Sequence, residues 1–318
     1  MADSGGWSTI ESDGGVFTSL VENLGVQGIQ FEELISLDPD TIRSLGTVYG
    51  VIFLFKYLRP QATESQPSSK DGTPTDPTTL PESFFFANQT IQNACGTQAI
   101  LSVILNHDTP SSENNNTPIT LGHELSSFKD FTTGFPSDLR GEALSNSEAI
   151  RSAHNAFARA SPFVDETQRP QNDDEDGDVY HFIAYTPING VLYELDGLQQ
   201  SPISHGECNA STFPEKVIEV LQRRIARYPE TETRFNLMAA VRDLRISAVE
   251  VGDEEALARE ERKRAGWAWE NSLRRSNFVG FIGEVLKGVV GQKEKEGEGA
   301  VEEWVKKAEA ETARRLRR

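Results

Sequence analysis

Cysteine is scarce in this chain: Cys95 and Cys208 stand alone among 318 residues. Two thiols and five scattered histidines make no zinc-type spacing, so no metal is expected. Long apolar runs are missing too. The longest, Val51–Phe55, is ended by Lys56, far short of the ~20 residues a membrane helix needs. Basic residues are in deficit, 31 Lys and Arg against 49 Asp and Glu, giving a formal charge of −18. A nucleic-acid binder needs the opposite balance. An acidic body suits a basic partner, and equally a soluble protein with no such partner. No pattern recurs at 20–50 residues, which excludes a repeat array. The first fifteen residues lack the basic and apolar segments of a secretory signal, so reduced thiols are expected.

What is present reads as a folded chain, 37% hydrophobic and 25% charged. Trp7–Ser12 is read as an edge strand before a turn at Asp13-Gly14-Gly15. Val16–Leu24 has helical spacing and Val48–Leu58 the character of a buried strand. Residues 60–81 are rich in Pro, Ser and Thr and read as a disordered insertion. Residues 106–118 form a polar loop, 121–159 a set of short helices, and 161–178 a polar loop ending in acids. Two strands flank Asn189-Gly190. A helix starts near Thr212, with Thr212 and Glu215 as a capping box. Phe235–Val241 is a last strand.

Composition shifts after residue 243. Residues 254–275 are a charge-dense helix carrying Trp267 and Trp269. Phe278, Phe281, Ile282, Val285, Leu286 and Val289 then form an apolar stripe at helical period. Residues 302–318 are a charged helix. The stripe must be covered, either by the protein's own core or by an external partner.

Chemistry concentrates between residues 86 and 99. Cys95 precedes the compact run Ile100–Leu105, which places it in the first turn of a buried helix. Unpaired N–H groups and the helix dipole favour an anion there, and a thiolate is a nucleophile. A free cysteine is more often simply a small buried hydrophobe, and that reading stays open for Cys95 taken alone. Cys208, in a polar run, reads as incidental. A catalytic thiol needs a base. His107 and His205 fall in polar loops, and His123 and His154 on helices with polar neighbours. His181 differs, because it lies in the apolar strand Val179–Tyr185. Asn189-Gly190 then favours a two-residue hairpin turn. That turn sets Ile183 opposite Asp196 and makes His181 and Asp196 diagonal neighbours on one face. Asp196 would then orient the ring. Gln89, six residues before Cys95, leads into the same helix. Its amide is a candidate oxyanion donor, as in papain-like proteases.

These motifs resemble the ubiquitin carboxyl-terminal hydrolases, a family of papain-like cysteine proteases. The matching stretches are Gly6–Phe17, Ile52–Lys56, Phe84–Leu101, Ala143–Ser147, His154–Arg159, Tyr180–Leu198 and Phe235–Asp243. They cover nearly all of residues 6–243. One departure is Gly14, where the family commonly has proline. The resemblance implies an α+β papain-like fold, a central antiparallel sheet flanked by helices and followed by a helical tail. It implies Cys95 as nucleophile, His181 as base and acid, Asp196 as orienter and Gln89 as oxyanion donor, with Glu11, Asp13 and Gly15 contacting substrate. No cofactor is implied.

The implied activity is thiol-dependent removal of peptides, lysine side chains or small adducts from the C-terminal glycine of ubiquitin. Residues 161–178 fall where the family has an active-site crossover loop. Three segments are expected: a catalytic domain at 1–243, a charged helical linker at 244–276 and a docking tail at 277–318. The tail resembles that of the long, proteasome-associated enzymes. That points to the proteasome's ubiquitin-receptor subunit as partner, through Phe278, Phe281, Ile282, Val285 and Leu286. Cytoplasmic and nuclear localisation is expected, with neither nucleic acid nor membrane as partner. Two alternatives stay open here: a non-catalytic ubiquitin-binding scaffold, and a chromatin-associated deubiquitinase of the related long subtype.

Overall fold

The computed structural model describes residues 6–57, 72–108, 119–158, 179–276 and 278–316. The crossover-loop segment 161–178 and positions 60–71 of the expected insertion lie outside these. The described chain divides into two compact units, the first closing at Arg275 and the second running from Ser276.

The first unit is built on one seven-stranded sheet. Its strands are β1 (Ile29–Glu33), β2 (Val48–Lys56), β3 (Thr73–Pro74), β4 (Tyr180–Ile188), β5 (Val191–Leu195), β6 (Ile203–Glu207) and β7 (Asn236–Arg242). Their order across the sheet is β1-β7-β2-β4-β5-β6-β3, and every neighbouring pair is antiparallel. β2 and β4 carry near-continuous buried side chains, as central strands covered on both faces must. β3 falls inside the stretch 60–81 read as disordered; residues 73–74 pair with β6.

Helices α1 (Gly14–Asn23), α3 (Cys95–Ile104) and α6 (Glu148–Asn155) pack with Trp7, Phe17, Phe31 and Ile52 in one hydrophobic cluster. Helices α2 (Pro39–Ser44) and α7 (Phe213–Ile225) form the other with Val51, Phe53, Phe55 and Tyr185. Alternate β2 residues therefore serve opposite layers. Helices α4 (His123–Thr132) and α5 (Ser137–Asn146) complete the stretch read as short helices.

Three local expectations are corrected. Trp7–Ser12 is not a strand. Side chains satisfy its backbone instead: Asn93 Nδ2 donates to Trp7 O at 3.1 Å, and Ser8 N donates to Asn155 Oδ1 at 3.0 Å. Asp13-Gly14-Gly15 is not a free turn but the start of α1, with Asp13 Oδ1 accepting from Val16 N at 2.9 Å. The Thr212–Glu215 capping box does not form. Thr212 already has helical backbone angles and makes no side-chain cap. Asn209 Oδ1 takes the Ser211 and Thr212 N–H groups instead, at 3.0 and 3.1 Å.

Residues 244–276, read from composition as a linker, hold α8 (Leu244–Val251) and α9 (Glu254–Arg275), both in the first unit. The inner face of α9 lies on α1. A Cβ built on Gly15 would sit 2.5 Å from the Trp267 ring, so the indole rests directly on that backbone. Asn271 Nδ2 donates to Gly15 O at 3.2 Å and to Ser19 Oγ at 2.9 Å. Arg274 reaches Glu11 at 3.0 Å and Asp13 at 3.2 Å. Half of an indole's ~200 Å² contributes roughly 2.5 kcal/mol on burial. The Arg274 pairs keep some contact with solvent, which screens them. Trp267 thus supplies the apolar part of a seam otherwise made of polar bonds. The second unit contains α10 (Val279–Glu294) and α11 (Ala300–Leu316).

Candidate active site

The hairpin behaves as its turn residues require. Asn189 and Gly190 both take positive φ, 49° and 78°, and the β4–β5 ladder runs from Ile188 opposite Val191 to Ala184 opposite Leu195. One further step along each strand sets Ile183 against Asp196, and His181 lies diagonally across. His181 Nε2 and Asp196 Oδ1 are 2.7 Å apart, both side chains almost fully buried. A carboxylate only accepts, so Nε2 carries the proton. Asp196 is itself held, Oδ1 accepting from Leu198 N at 3.0 Å.

Nδ1 is then the ring nitrogen left for Cys95, which lies within hydrogen-bonding reach of the imidazole. Cys95 is the first residue of α3 and half-buried. Ala94, the residue capping that helix, provides no side-chain cap, so the leading N–H groups face the site. Burial alone would lower the His181 pKa. The bonds and charges of Asp196 and Cys95 overcome that and hold it at about 9. The ring is therefore protonated at neutral pH, with a carboxylate behind it and a sulfur in front.

Gln89 sits on the irregular segment before α3. Its backbone N–H donates to Gly197 O at 2.7 Å, which ties it to the residue after Asp196. Asn88 and Thr90 on either side bond to Gln199 O and Gly141 O. The Gln89 amide donates one hydrogen to Ile91 O at 3.0 Å, leaving its second N–H for another acceptor. Thus one chain segment presents the amide and the thiol, and one hairpin presents the ring and the carboxylate.

The other singled-out residues fall elsewhere. Gly15 is buried beneath Trp267 and has no free surface for a substrate. Glu11 and Asp13 remain partly open beside Arg274. Cys208 is buried and its thiol pushed up to about 11 by desolvation, which suits an inert side chain. Phe278, Phe281, Ile282, Val285 and Leu286 of the second unit are exposed, Phe281 by 69%.

Three histidines read as unpromising are buried. His154 Nε2 donates to Ser8 O at 2.6 Å, Nδ1 accepts from Thr97 Oγ1 at 2.7 Å, and Trp7 stacks edge-on at 4.8 Å. It joins the N-terminal segment to α3, two residues past Cys95. His107 bonds Thr186 Oγ1 at 2.8 Å, and desolvation drops its pKa to about 4. His205 bonds Glu194 Oε2 at 3.1 Å. Asn93, with φ of 68°, was also missed. It sets the chain's direction into Cys95. An Asn two residues before a helix-opening cysteine is the signal that could have marked it, since Asn tolerates this conformation better than most side chains.

Comparison with known proteins agrees with this geometry. Residues 7–226 match the family described as ubiquitin carboxyl-terminal hydrolase, family 1, and residues 253–294 match the C-terminal region of ubiquitin carboxyl-terminal hydrolases. The chain is 50% identical over 287 residues to ubiquitin carboxyl-terminal hydrolase 2 of Schizosaccharomyces pombe, covering 88% of this chain and 90% of that one. It is 37% identical over 306 residues to the hydrolase ubh-4 of Caenorhabditis elegans, covering 90% and 88% respectively. Its fold is similar to Trichinella spiralis UCH37 bound to ubiquitin vinyl methyl ester. That similarity has a TM-score of 0.61 at 32% identity, covering 85% of this chain and 99% of the other. With a buried His–Asp pair beside a helix-opening thiol, a matching catalytic region and a matching C-terminal region, the chain belongs to the ubiquitin carboxyl-terminal hydrolase family, in its long subtype, and is a deubiquitinating cysteine hydrolase.

Proposed function

We propose that Cys95, His181, Asp196 and Gln89 carry out the hydrolysis. The observation behind this is the 2.7 Å His181–Asp196 bond with Cys95 in reach of the same ring. Cys95 Sγ attacks the carbonyl carbon of ubiquitin's C-terminal glycine. The oxygen takes up negative charge, met by the Gln89 amide and the N–H groups opening α3. Protonated His181 gives its Nδ1 proton to the leaving amine, and the acyl-thioester forms. Neutral His181 then takes a proton from water, which attacks the same carbon and returns the thiolate. Asp196 keeps its bond to Nε2 throughout and fixes the tautomer. Gln89→Ala is expected to cost roughly 10²–10³ in kcat with KM little changed, measured on a ubiquitin fluorogenic amide. A loss below tenfold would leave the oxyanion to backbone groups alone.

The tail is the proposed docking element. Phe278, Phe281, Ile282, Val285 and Leu286 present an exposed apolar stripe on a helix outside the catalytic unit. Such a stripe favours cover by a partner. We assign it to the proteasome's ubiquitin-receptor subunit, and the protein to the cytoplasm and nucleus. Deleting 277–318 removes only second-unit residues. The remaining enzyme is expected to stay folded and cleave small ubiquitin adducts, but to lose co-sedimentation with proteasomes. Co-sedimentation at full-length levels would refute the docking role.

A further inference from the structure

Gln98 is polar and yet enclosed, 5% exposed on α3. It stands at i+3 from Cys95, so the two side chains leave neighbouring positions on one face of the helix. A buried amide needs a partner, and its Nε2 donates to Ala87 O. Ala87 lies just before Asn88 and Gln89. The first turn of the helix that carries the thiol thus holds the segment that carries the oxyanion donor. The same amide bounds the catalytic hairpin. Gly197 follows Asp196, and a Cβ built there would run into the Gln98 amide and stand 3.1 Å from Gln89 Cβ. Gln89 N in turn donates to Gly197 O at 2.7 Å. The three pieces of chain that hold Cys95, Gln89 and Asp196 therefore meet around one side chain.

The Gln89 amide itself is lightly held. Its Nε2 bonds Ile91 O at 3.0 Å, while its Oε1 is buried with no hydrogen-bond partner among the described residues. An oxygen without a donor does not fix the side chain, so the amide stands where its backbone puts it. That backbone is pinned on several sides. Asn88 N donates to Ser137 O at 2.8 Å, Asn88 Nδ2 to Gln199 O at 2.6 Å, and Thr90 Oγ1 to Gly141 O at 3.2 Å. These bonds tie the segment to α5 and to the chain after β5. Among the described hydrogen bonds of residues 87–90, the one from Gln98 is the one that reaches α3.

We propose that Gln98 is a positioning residue for the hydrolysis: by bonding Ala87 O and abutting Gly197, it sets where the Gln89 amide stands relative to the thiol that opens α3. It acts on the reaction through Gln89, whose donor must meet the charge that develops on the carbonyl oxygen. A shift of about 1 Å in such a group can cost about 10²-fold. This inference rests on the oxyanion role given to Gln89.

The test compares four full-length proteins on a ubiquitin fluorogenic amide: wild type, Gln98→Met, Gln89→Ala and the double variant. Methionine keeps the length of glutamine and removes the donor. Gln98→Met is expected to lower kcat roughly 10–100-fold with KM little changed. In the Gln89→Ala background it is expected to add almost nothing, because the group it positions is gone. Alkylation of Cys95 by iodoacetamide, which needs no oxyanion donor, is expected to run at the wild-type rate. A role in folding alone would carry the same loss into both backgrounds and alter alkylation with it. That result overturns the proposal, as does wild-type kcat in Gln98→Met. If Gln98→Met does not fold, Gly197→Ala makes the test from the hairpin side. The backbone at 197 is outside the positive-φ region, so alanine adds no strain there, and its methyl group pushes the Gln98 amide from Ala87 O. The same dependence on Gln89 is expected, and an equal loss with and without Gln89 overturns the proposal. Failure of the oxyanion reading shows separately, as a loss below about tenfold in Gln89→Ala itself, and takes this proposal with it.

Discussion

Cys95→Ala is expected to bring hydrolysis of a ubiquitin fluorogenic amide to background while leaving ubiquitin binding intact. In the proposed mechanism the thiol is the atom that forms the new bond, and nothing else in the site substitutes for it. Loss of a nucleophile acts on a scale of roughly 10⁴-fold or more. The substitution removes one sulfur from a half-buried position, and alanine is a strong helix former, so α3 should be undisturbed. Ubiquitin titrations of the two proteins, read beside turnover, separate chemistry from binding. Activity that survives in Cys95→Ala and disappears only when Cys208 is changed would refute the assignment. Burial of Cys208 makes that outcome hard to reach physically.

Asp196→Asn is expected to lower turnover by as much as about 10⁴-fold, the scale seen where an orienting carboxylate becomes an amide. The asparagine keeps the size of the side chain, so the fold should persist. It can present its NH₂ group to Nε2, which then accepts, and the ring's proton moves to Nδ1. An NH₂ turned to Nε2 gives up the bond from Leu198 N, which shares that oxygen. The pH profile carries a second signature. His181 is raised from 6.5 to about 9, with Asp196 as a principal cause. Its folded-state value exceeds the ordinary one, so stability from the charged ring is complete below 6.5 and lost as pH rises through about 9. Turnover in the wild type should fall over the same alkaline range. Asparagine carries no charge, so the alkaline limb should move to lower pH. A limb that stays in place would show that Asp196 does not set the ring's proton.

Where the sequence carried the site, it did so through local rules. Asn189-Gly190 dictates a two-residue turn, and the turn dictates the register that joins His181 to Asp196. Cys95 was legible because the compact apolar run Ile100–Leu105 follows it after about one helical turn. What was not legible depends on distant partners. Trp7–Ser12 is read as an edge strand, yet His154, 146 residues away, and Asn155 take up its backbone groups. Arg274 reaches Glu11 across 263 residues, and Trp267 covers Gly15, so a helix whose charge suggested a solvated linker is packed against α1. His205 sat in a polar-looking run because its partners, Glu194 and through it Arg224, come from another strand and a helix. Polar residues that find long-range partners leave no periodic trace, whereas apolar faces do.

In the proposed reaction the thiol opening α3, activated by His181, attacks the carbonyl at ubiquitin's C-terminus. The experiment is reaction of the full chain with a ubiquitin C-terminal vinyl methyl ester, followed by peptide mass mapping. The expected result is one ubiquitin added per chain, attached at Cys95, with labelling slowed strongly in Asp196→Asn and absent in Cys95→Ala. Ubiquitin bound without a covalent bond, or a bond mapped to Cys208, would rule out Cys95 as the nucleophile.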